Sequence, residues 1–331
     1  MASGRAQPHF LSLGEVMVEL WGSSPLAQSV QLERTYSGDV LNIATAVRRL
    51  GLPSAIITRV GCDPFGDYLV DEWSKLGIDL QHVIRGGGPT GIYVSEHGNS
   101  GSYDTWYYRK GSAASTVSPK DIDGVDLDTT TMVHLSGISQ AISDSSCSAT
   151  RRLAERGRTA QAEVSFDLNY RAQLWKPEAA RHAAEDVMPF VSIFFAGDEE
   201  GAHVFGNDDP ATIADLALEM GARVAAISLA ERGAYVAWKD DSLSIKPVAR
   251  NLEGLRGAGD AFAGGFATAT MLGSSPATAA RLGTVVAGLK VEQPGPLLGL
   301  PFQKDVRTRT IELGWTDATD VIDSIEALPI P

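Results

Sequence analysis

Gly257-Ala258-Gly259-Asp260-Ala261-Phe262-Ala263-Gly264-Gly265-Phe266 reads as a glycine-rich turn running straight into a helix. The first turn of a helix leaves backbone N–H groups without partners, and glycines let an anion approach them. Asp260 falls in that first turn and would repel such an anion. It either caps the helix by accepting from backbone donors or takes a proton from a nearby hydroxyl. An anion cradle beside a base is the pairing that phosphoryl transfer to an alcohol needs. Two common nucleotide folds are disfavoured. A dinucleotide fingerprint needs a third glycine where Phe262 stands and an acidic residue about 20 positions on, where Ala279, Ala280 and Arg281 stand. The chain contains no Gly-Lys-Ser/Thr of a Walker loop.

Working outward, strand and helix patterns alternate. Residues 10–18 read as a strand interrupted at Gly14-Glu15. Apolar residues at Val40, Ile43, Ala44, Val47 and Leu50 have helical spacing over 39–50, with Gly51 as a C-cap. A strand over 54–60 and a helix over 65–76, closed by Gly77, follow. From Thr131 the alternation resumes, with strands at 132–135, 164–168, 191–196 and 224–229 and helices at 146–156, 177–187 and 211–220. Repeated strand–helix units predict an α/β fold: a doubly wound, mostly parallel sheet flanked by helices. Residues 91–94 and 102–108 are short, aromatic-rich runs around Gly98-Asn99-Ser100-Gly101 and read as a hairpin. With 30–36 they form either a small separate sheet or an edge of the main one. No linker divides the chain.

The composition narrows the functional classes. The 331 residues are 44% hydrophobic and 21% charged, enough for a core and against wholesale disorder. A formal net charge of -13 argues against a general nucleic-acid binder, since phosphate neutralisation needs clustered cations. Cys62 and Cys147 form no CxxC pair, and residues 1–8 have no apolar signal region, so a reducing cytoplasm is expected. No apolar run approaches a membrane span. The six histidines show no zinc spacing.

Further polar clusters fall where a doubly wound sheet places ligands, at strand ends and helix starts. In Ser37-Gly38-Asp39-Val40-Leu41-Asn42, Asp39 and Asn42 share one side of a first turn and suit vicinal hydroxyls, although capping also accounts for Asp39. Tyr107-Tyr108-Arg109-Lys110 sets cations beside aromatics, either as an anion site or as a solvated charge pair. Asp167-Leu168-Asn169-Tyr170-Arg171 ends an apolar strand, and Arg171 suits phosphate or carboxylate. Asp198, Glu199 and Glu200 suit either Mg²⁺ with retained waters or the acidic start of a helix.

Taken in this order, the clusters resemble ribokinase-like (PfkB-type) carbohydrate kinases over about residues 10–313. The stretch at 257–266 carries the resemblance, with Gly38-Asp39-Val40-Leu41-Asn42-Ile43-Ala44 and Arg59-Val60-Gly61-Cys62-Asp63-Pro64-Phe65-Gly66. Tyr107 to Ala113, Leu135-Ser136-Gly137-Ile138 and Asp167 to Arg171 with Leu174-Trp175 are similar to 2-keto-3-deoxygluconate kinases within that family. The resemblance implies one kinase domain over 1–331, with a small β-sheet lid from about 17–37 and 88–112 that often pairs two copies into a homodimer. It implies ATP-dependent phosphorylation of a terminal hydroxyl of a sugar acid, with Mg²⁺. By the same resemblance Asp260 is the base, and the amides of Gly257, Ala258 and Gly259 form the anion hole. Gly38, Asp39, Asn42, Tyr93, Tyr107, Arg109 and Arg171 line the sugar-acid site. Asn169, Arg171, Gly257 and Gly259 meet the nucleotide, and Glu200 stands near the metal.

Three departures from the family lie on what the resemblance makes the ATP side. Gly254, Leu255 and Arg256 replace an Asp-Thr pair and a further residue. In several members that pair contributes near a monovalent-cation site, so such a site is doubtful here, and Arg256 adds a cation beside the cradle that replaces that charge or obstructs ATP. Gly197 stands in place of an Asn, and Ser228-Leu229-Ala230 in place of Lys-x-Gly. These departures keep open a kinase-fold binding or regulatory protein with weak or no turnover; a separate alternative is a related kinase for a neutral sugar such as fructose or ribose, in which Arg109 is structural.

Overall fold

A computed structural model describes residues 9–22, 24–97, 103–239 and 241–328. The expected turn at 98–101 and the N-terminal residues 1–8 lie outside them. The strands are β1 (His9–Leu13), β2 (Met17–Gly22), β3 (Glu33–Ser37), β4 (Ser54–Val60), β5 (Val83–Arg85), β6 (Ile92–His97) and β7 (Tyr103–Tyr108). They continue as β8 (Thr130–Ser136), β9 (Glu163–Asp167), β10 (Ile193–Gly197), β11 (Val224–Ser228), β12 (Ala234–Trp238) and β13 (Asp241–Ile245). The helices are α1 (Asp39–Arg49), α2 (Pro64–Lys75), α3 (Pro119–Asp123), α4 (Gly137–Ala141), α5 (Asp144–Thr159) and α6 (Pro177–Val187). After them come α7 (Asp198–Phe205), α8 (Pro210–Glu219), α9 (Ala258–Met271), α10 (Pro276–Val291), α11 (Gln303–Glu312) and α12 (Thr316–Glu326).

Nine strands form the main sheet in the order β13-β12-β11-β10-β9-β8-β1-β4-β5. From β11 to β5 every pairing is parallel; at the other edge β12 pairs antiparallel with both β11 and β13 and is the one reversed strand. Neighbouring residues on one strand serve opposite faces, as the pleat requires. Phe10 and Phe195 pack into one core with α1, α9 and α10, whereas Leu11 and Phe194 pack into the other. Full burial of side chains of this size stabilises by roughly 1.5–3 kcal/mol each. No helix among the described residues is long and apolar enough to cross a membrane.

The segment 10–18 is two strands rather than one. The chain leaves the main sheet at Gly14-Glu15 and enters a separate four-stranded sheet, β3-β2-β6-β7. The sharp departure brings residue 14 against neighbours with no room for a side chain: a Cβ on Gly14 would stand 2.7 Å from Ser139 Oγ. The smaller sheet covers the carboxyl ends of the main strands and fits a lid.

Beyond its first turn helix α9 is buried on nearly all sides, from Ala261 to Ala269 and at Met271. Its glycines permit this. A Cβ on Gly264 would lie 2.5 Å from Ala46 in α1, and one on Gly265 would lie 2.9 Å from Gly283 in α10. Close packing of α9 on α1 aligns their N-terminal ends beside the point where the order turns around β1, the place where open α/β sheets hold ligands.

Candidate active site

Gly257 has φ +81°, a left-handed conformation that glycine adopts without strain, and it turns the chain into α9. The amides of Gly257, Gly259 and Asp260 have no acceptor among the described residues, whereas that of Ala258 donates to Leu255 O at 3.2 Å. The free donors are therefore shifted from the expected set: Ala258 drops out and Asp260 joins. The space before Gly259 is open, since a Cβ there would meet nothing within 4 Å.

Asp260 meets Asn42 across 218 positions of sequence, with Asn42 Nδ2 donating to Asp260 Oδ2 at 2.7 Å. Both line a cavity of about 420 Å³ under the lid. Burial and the nearby carboxylate of Asp39 push the Asp260 carboxyl up to about 7, against the bond from Asn42 and the charge of Arg171. Asp167, buried at the end of β9, is raised by burial and by Glu200, Asp260 and Asp39. A carboxyl held near neutrality beside a loop with free amides can exchange a proton at ordinary pH.

Gly38, Asp39, Tyr93, Tyr107, Arg109 and Arg171 line the same cavity. Gly38 stands where a Cβ would come within 2.6 Å of Glu15 O, so its side-chain-free backbone lets the strand crossover pass close to α1. Asp39 accepts from Ser136 Oγ and, at 3.0 Å, from Asn169 Nδ2. Asn169 thus reaches Asp39, with φ +40°, a left-handed conformation that Asn tolerates better than most residues. Arg109 is not free: Nε donates to Glu15 Oε2 at 2.7 Å, and Nη2 lies 2.6 Å from the same oxygen without hydrogen-bond alignment. The hydroxyl of Tyr93 is buried with no aligned partner. Arg171 Nη1 donates to Tyr170 O at 2.8 Å and to Glu200 Oε1 at 2.9 Å.

Arg256 departs from its expected place on the nucleotide side. Its Nη1 reaches Glu19 Oε1 on β2 at 3.0 Å, and its guanidinium lies over the Tyr93 ring, 5.6 Å from the centroid. The side chain lines the acceptor cavity and joins the cradle to the lid. Its charge is thus paired with a lid carboxylate.

Residues 7–303 match the pfkB family of carbohydrate kinases. The chain belongs to that family. It is a sugar kinase, a phosphotransferase with an alcohol group as acceptor. This pfkB kinase is 33% identical to 2-dehydro-3-deoxygluconokinase of Bacillus subtilis (strain 168) over 81% of its own length and 84% of the relative's. It is 32% identical to 2-dehydro-3-deoxygluconokinase of Thermoproteus tenax, covering 89% and 92%. Among solved structures, 2-dehydro-3-deoxygluconokinase of Thermotoga maritima superposes with a TM-score of 0.80 at 25% identity, covering 92% of this chain and 99% of the other.

The fold adds groups to the pfkB kinase site that the sequence reading passed over. Glu15 and Glu19 hold Arg109 and Arg256. Glu15 sits at the break in the first strand, and that break was the signal available for it. Asp167, within a quoted cluster, joins the carboxylates. Arg232 follows β11, near where the family's Lys is missing, and pairs with Asp198. A lone Lys290 in an apolar helix is a further signal that spacing alone left unread.

Proposed function

We propose that this kinase transfers the γ-phosphoryl group of ATP to a terminal hydroxyl of a sugar acid of the 2-keto-3-deoxygluconate class. The observation that carries the reading is that Asp260, held at 2.7 Å by Asn42, faces the same cavity as Arg109 and Arg256. A base and cations lining one cavity suit a substrate that carries both a hydroxyl and a carboxylate. The acceptor oxygen attacks the γ-phosphorus, its proton passes to Asp260, and ADP departs with the bridging oxygen. The amides of Gly257, Gly259 and Asp260 receive the negative charge that develops, and Arg171 steadies the transferred group. Asn169 is assigned to acceptor-side positioning through Asp39. The names of the two bacterial and archaeal relatives above support the substrate class.

Kinases of this family are expected to use Mg²⁺ with ATP. Among the described residues no group of three or more His, Cys, Asp or Glu side chains is gathered for a metal. Mg²⁺ is commonly held by phosphates and one or two protein carboxylates, with waters retained. Glu200, whose Oε2 accepts from Gly197 N at 3.1 Å, is the carboxylate we assign to it. The ion supplies neutralisation of phosphate charge when bound.

A coupled ATP-consumption assay over 2-keto-3-deoxy sugar acids and neutral sugars such as fructose and ribose tests the reading. The expected result is turnover with kcat/KM highest on a sugar acid. A preference for a neutral sugar overturns the substrate class, and no turnover on any sugar overturns the assignment of this cavity.

A further inference from the structure

Lys290 is a charged residue in an otherwise apolar stretch. It lies in the last turn of α10, between Leu289 and Val291, and has no exposed surface. A buried ammonium is unfavourable unless its protons find acceptors. Of its three donors, one meets an acceptor among the described residues: the carbonyl oxygen of Gly254, at 2.6 Å. Gly254 lies three positions before Gly257, where the anion loop begins.

The loop is fixed to the same helix end by its backbone. Glu253 N and Gly254 N donate to Val291 O at 2.8 and 3.2 Å. A Cβ on Gly257 would meet Pro296 at 3.1 Å, so the loop has little room to lift. The carboxyl end of a helix also favours a cation. The charged groups acting on Lys290 are Asp260 of α9, which favours the ammonium, and Arg256 of the loop, which opposes it; burial and Arg256 together bring it down to about 8.

The family resemblance places a monovalent-cation site near residues 254–255, and the residues here do not fit one. Gly254 brings no carboxylate, and its carbonyl oxygen is taken by Lys290. We propose that Lys290 is a positioning residue whose ammonium is a tethered replacement for that cation, holding loop 254–257 and backing the anion-binding amides with a fixed positive charge. The kinase then carries its own cation and needs none from solution. This rests on the assignment of loop 257–260 as the phosphoryl-binding element.

The test uses the full chain, assayed with whichever sugar the wild type turns over best, in potassium chloride or tetramethylammonium chloride of equal ionic strength. Wild-type kcat is expected to be the same in both salts. Lys290→Met is expected to lose roughly 10²-fold in kcat, the scale for one electrostatic stabiliser, with KM for the sugar unchanged. Lys290→Ala, which leaves space, is expected to regain rate with potassium or ammonium but not with tetramethylammonium. A wild type that needs potassium, full activity in Lys290→Met, or a Lys290→Ala variant indifferent to the cation overturns the proposal. Calorimetric binding of a non-hydrolysable ATP analogue to the wild type keeps the test decisive if the variants fail to fold. Affinity equal in the two salts supports the proposal, and affinity that rises with potassium overturns it. A wrong substrate class appears instead as a changed sugar preference, which the salt comparison does not touch.

Discussion

On the lid wall of the cavity each arginine has its own buried carboxylate, whereas on the floor three aspartates crowd together near a single arginine. Arg109 and Glu15 are 9% and 0% exposed, and Glu19 holds Arg256 from the same sheet. On the floor, Asp39, Asp167 and Asp260 share the field of Arg171, which already pairs with Glu200 at 47% and 21% exposure. The contrast separates two tasks. Paired charges are held in place and suit recognition, because a ligand finds the guanidinium already oriented. On the floor, burial and mutual charge raise Asp167 and bring Asp260 up to about 7, which suits proton transfer; burial raises Glu15 on the lid too, but there the bonds from Arg109 and Ser112 oppose the rise.

Removing the floor's base has the largest expected effect. Asp260→Asn keeps the shape and the contact with Asn42 but cannot accept a proton, so kcat is expected to fall by about 10²–10⁴. Sugar binding by calorimetry should survive. The wild-type rate should rise with pH through about 7, because the carboxyl must lose its proton to act as a base; in Asp260→Asn that rising limb should vanish. Unchanged turnover in the variant would remove Asp260 from the chemistry.

The lid wall is tested by removing both members of a pair, since losing Arg109 alone strands a buried carboxylate and destabilises the fold. The double variant Glu15→Gln, Arg109→Gln is expected to raise KM for a sugar acid about 10–100-fold, the scale of one or two charge-assisted bonds. KM for a neutral sugar should stay near its wild-type value. An equal rise for both classes would make the pair structural.

The smallest expected effect is on stability. Asp260 binds its proton more tightly folded than unfolded, since its folded value of about 7 lies above the ordinary carboxyl range. Folding is therefore opposed by its ionisation at pH above 7, and that opposition fades as pH falls towards 4. Asp260→Asn should raise Tm at pH 8 by about 2–4 °C, the shift given by roughly 1 kcal/mol in a large domain, with little change at pH 4. A loss of Tm at pH 8 would mean that the floor carboxylates are not in conflict.

Much of the fold was legible because its central strands are buried on both faces and helices such as α1 and α6 carry one apolar stripe. The helix at 177–187 has the predicted bounds, and most of the other expected elements agree within about three residues, whereas β12, β13 and the helices α10, α11 and α12 were not anticipated. The break at Gly14-Glu15 was visible, but not its consequence, since local pattern cannot tell which sheet a strand joins. At the site, glycines and cavity-lining polar groups were readable as types. Their partners were not. Glu15 and Arg109 are 94 positions apart, and Glu19 and Arg256 are 237 apart.

By itself the sequence determined the α/β class, the glycine turn before Asp260 and the family, because each depends on local spacing. Only the tertiary structure decided which carboxylates stay paired and which are left to hold a proton. It also sent Arg256 to the lid and Lys290 beneath the anion loop. Charge interactions depend on distance and burial, and these are fixed only when α1, α9, α10 and the lid close around one cavity.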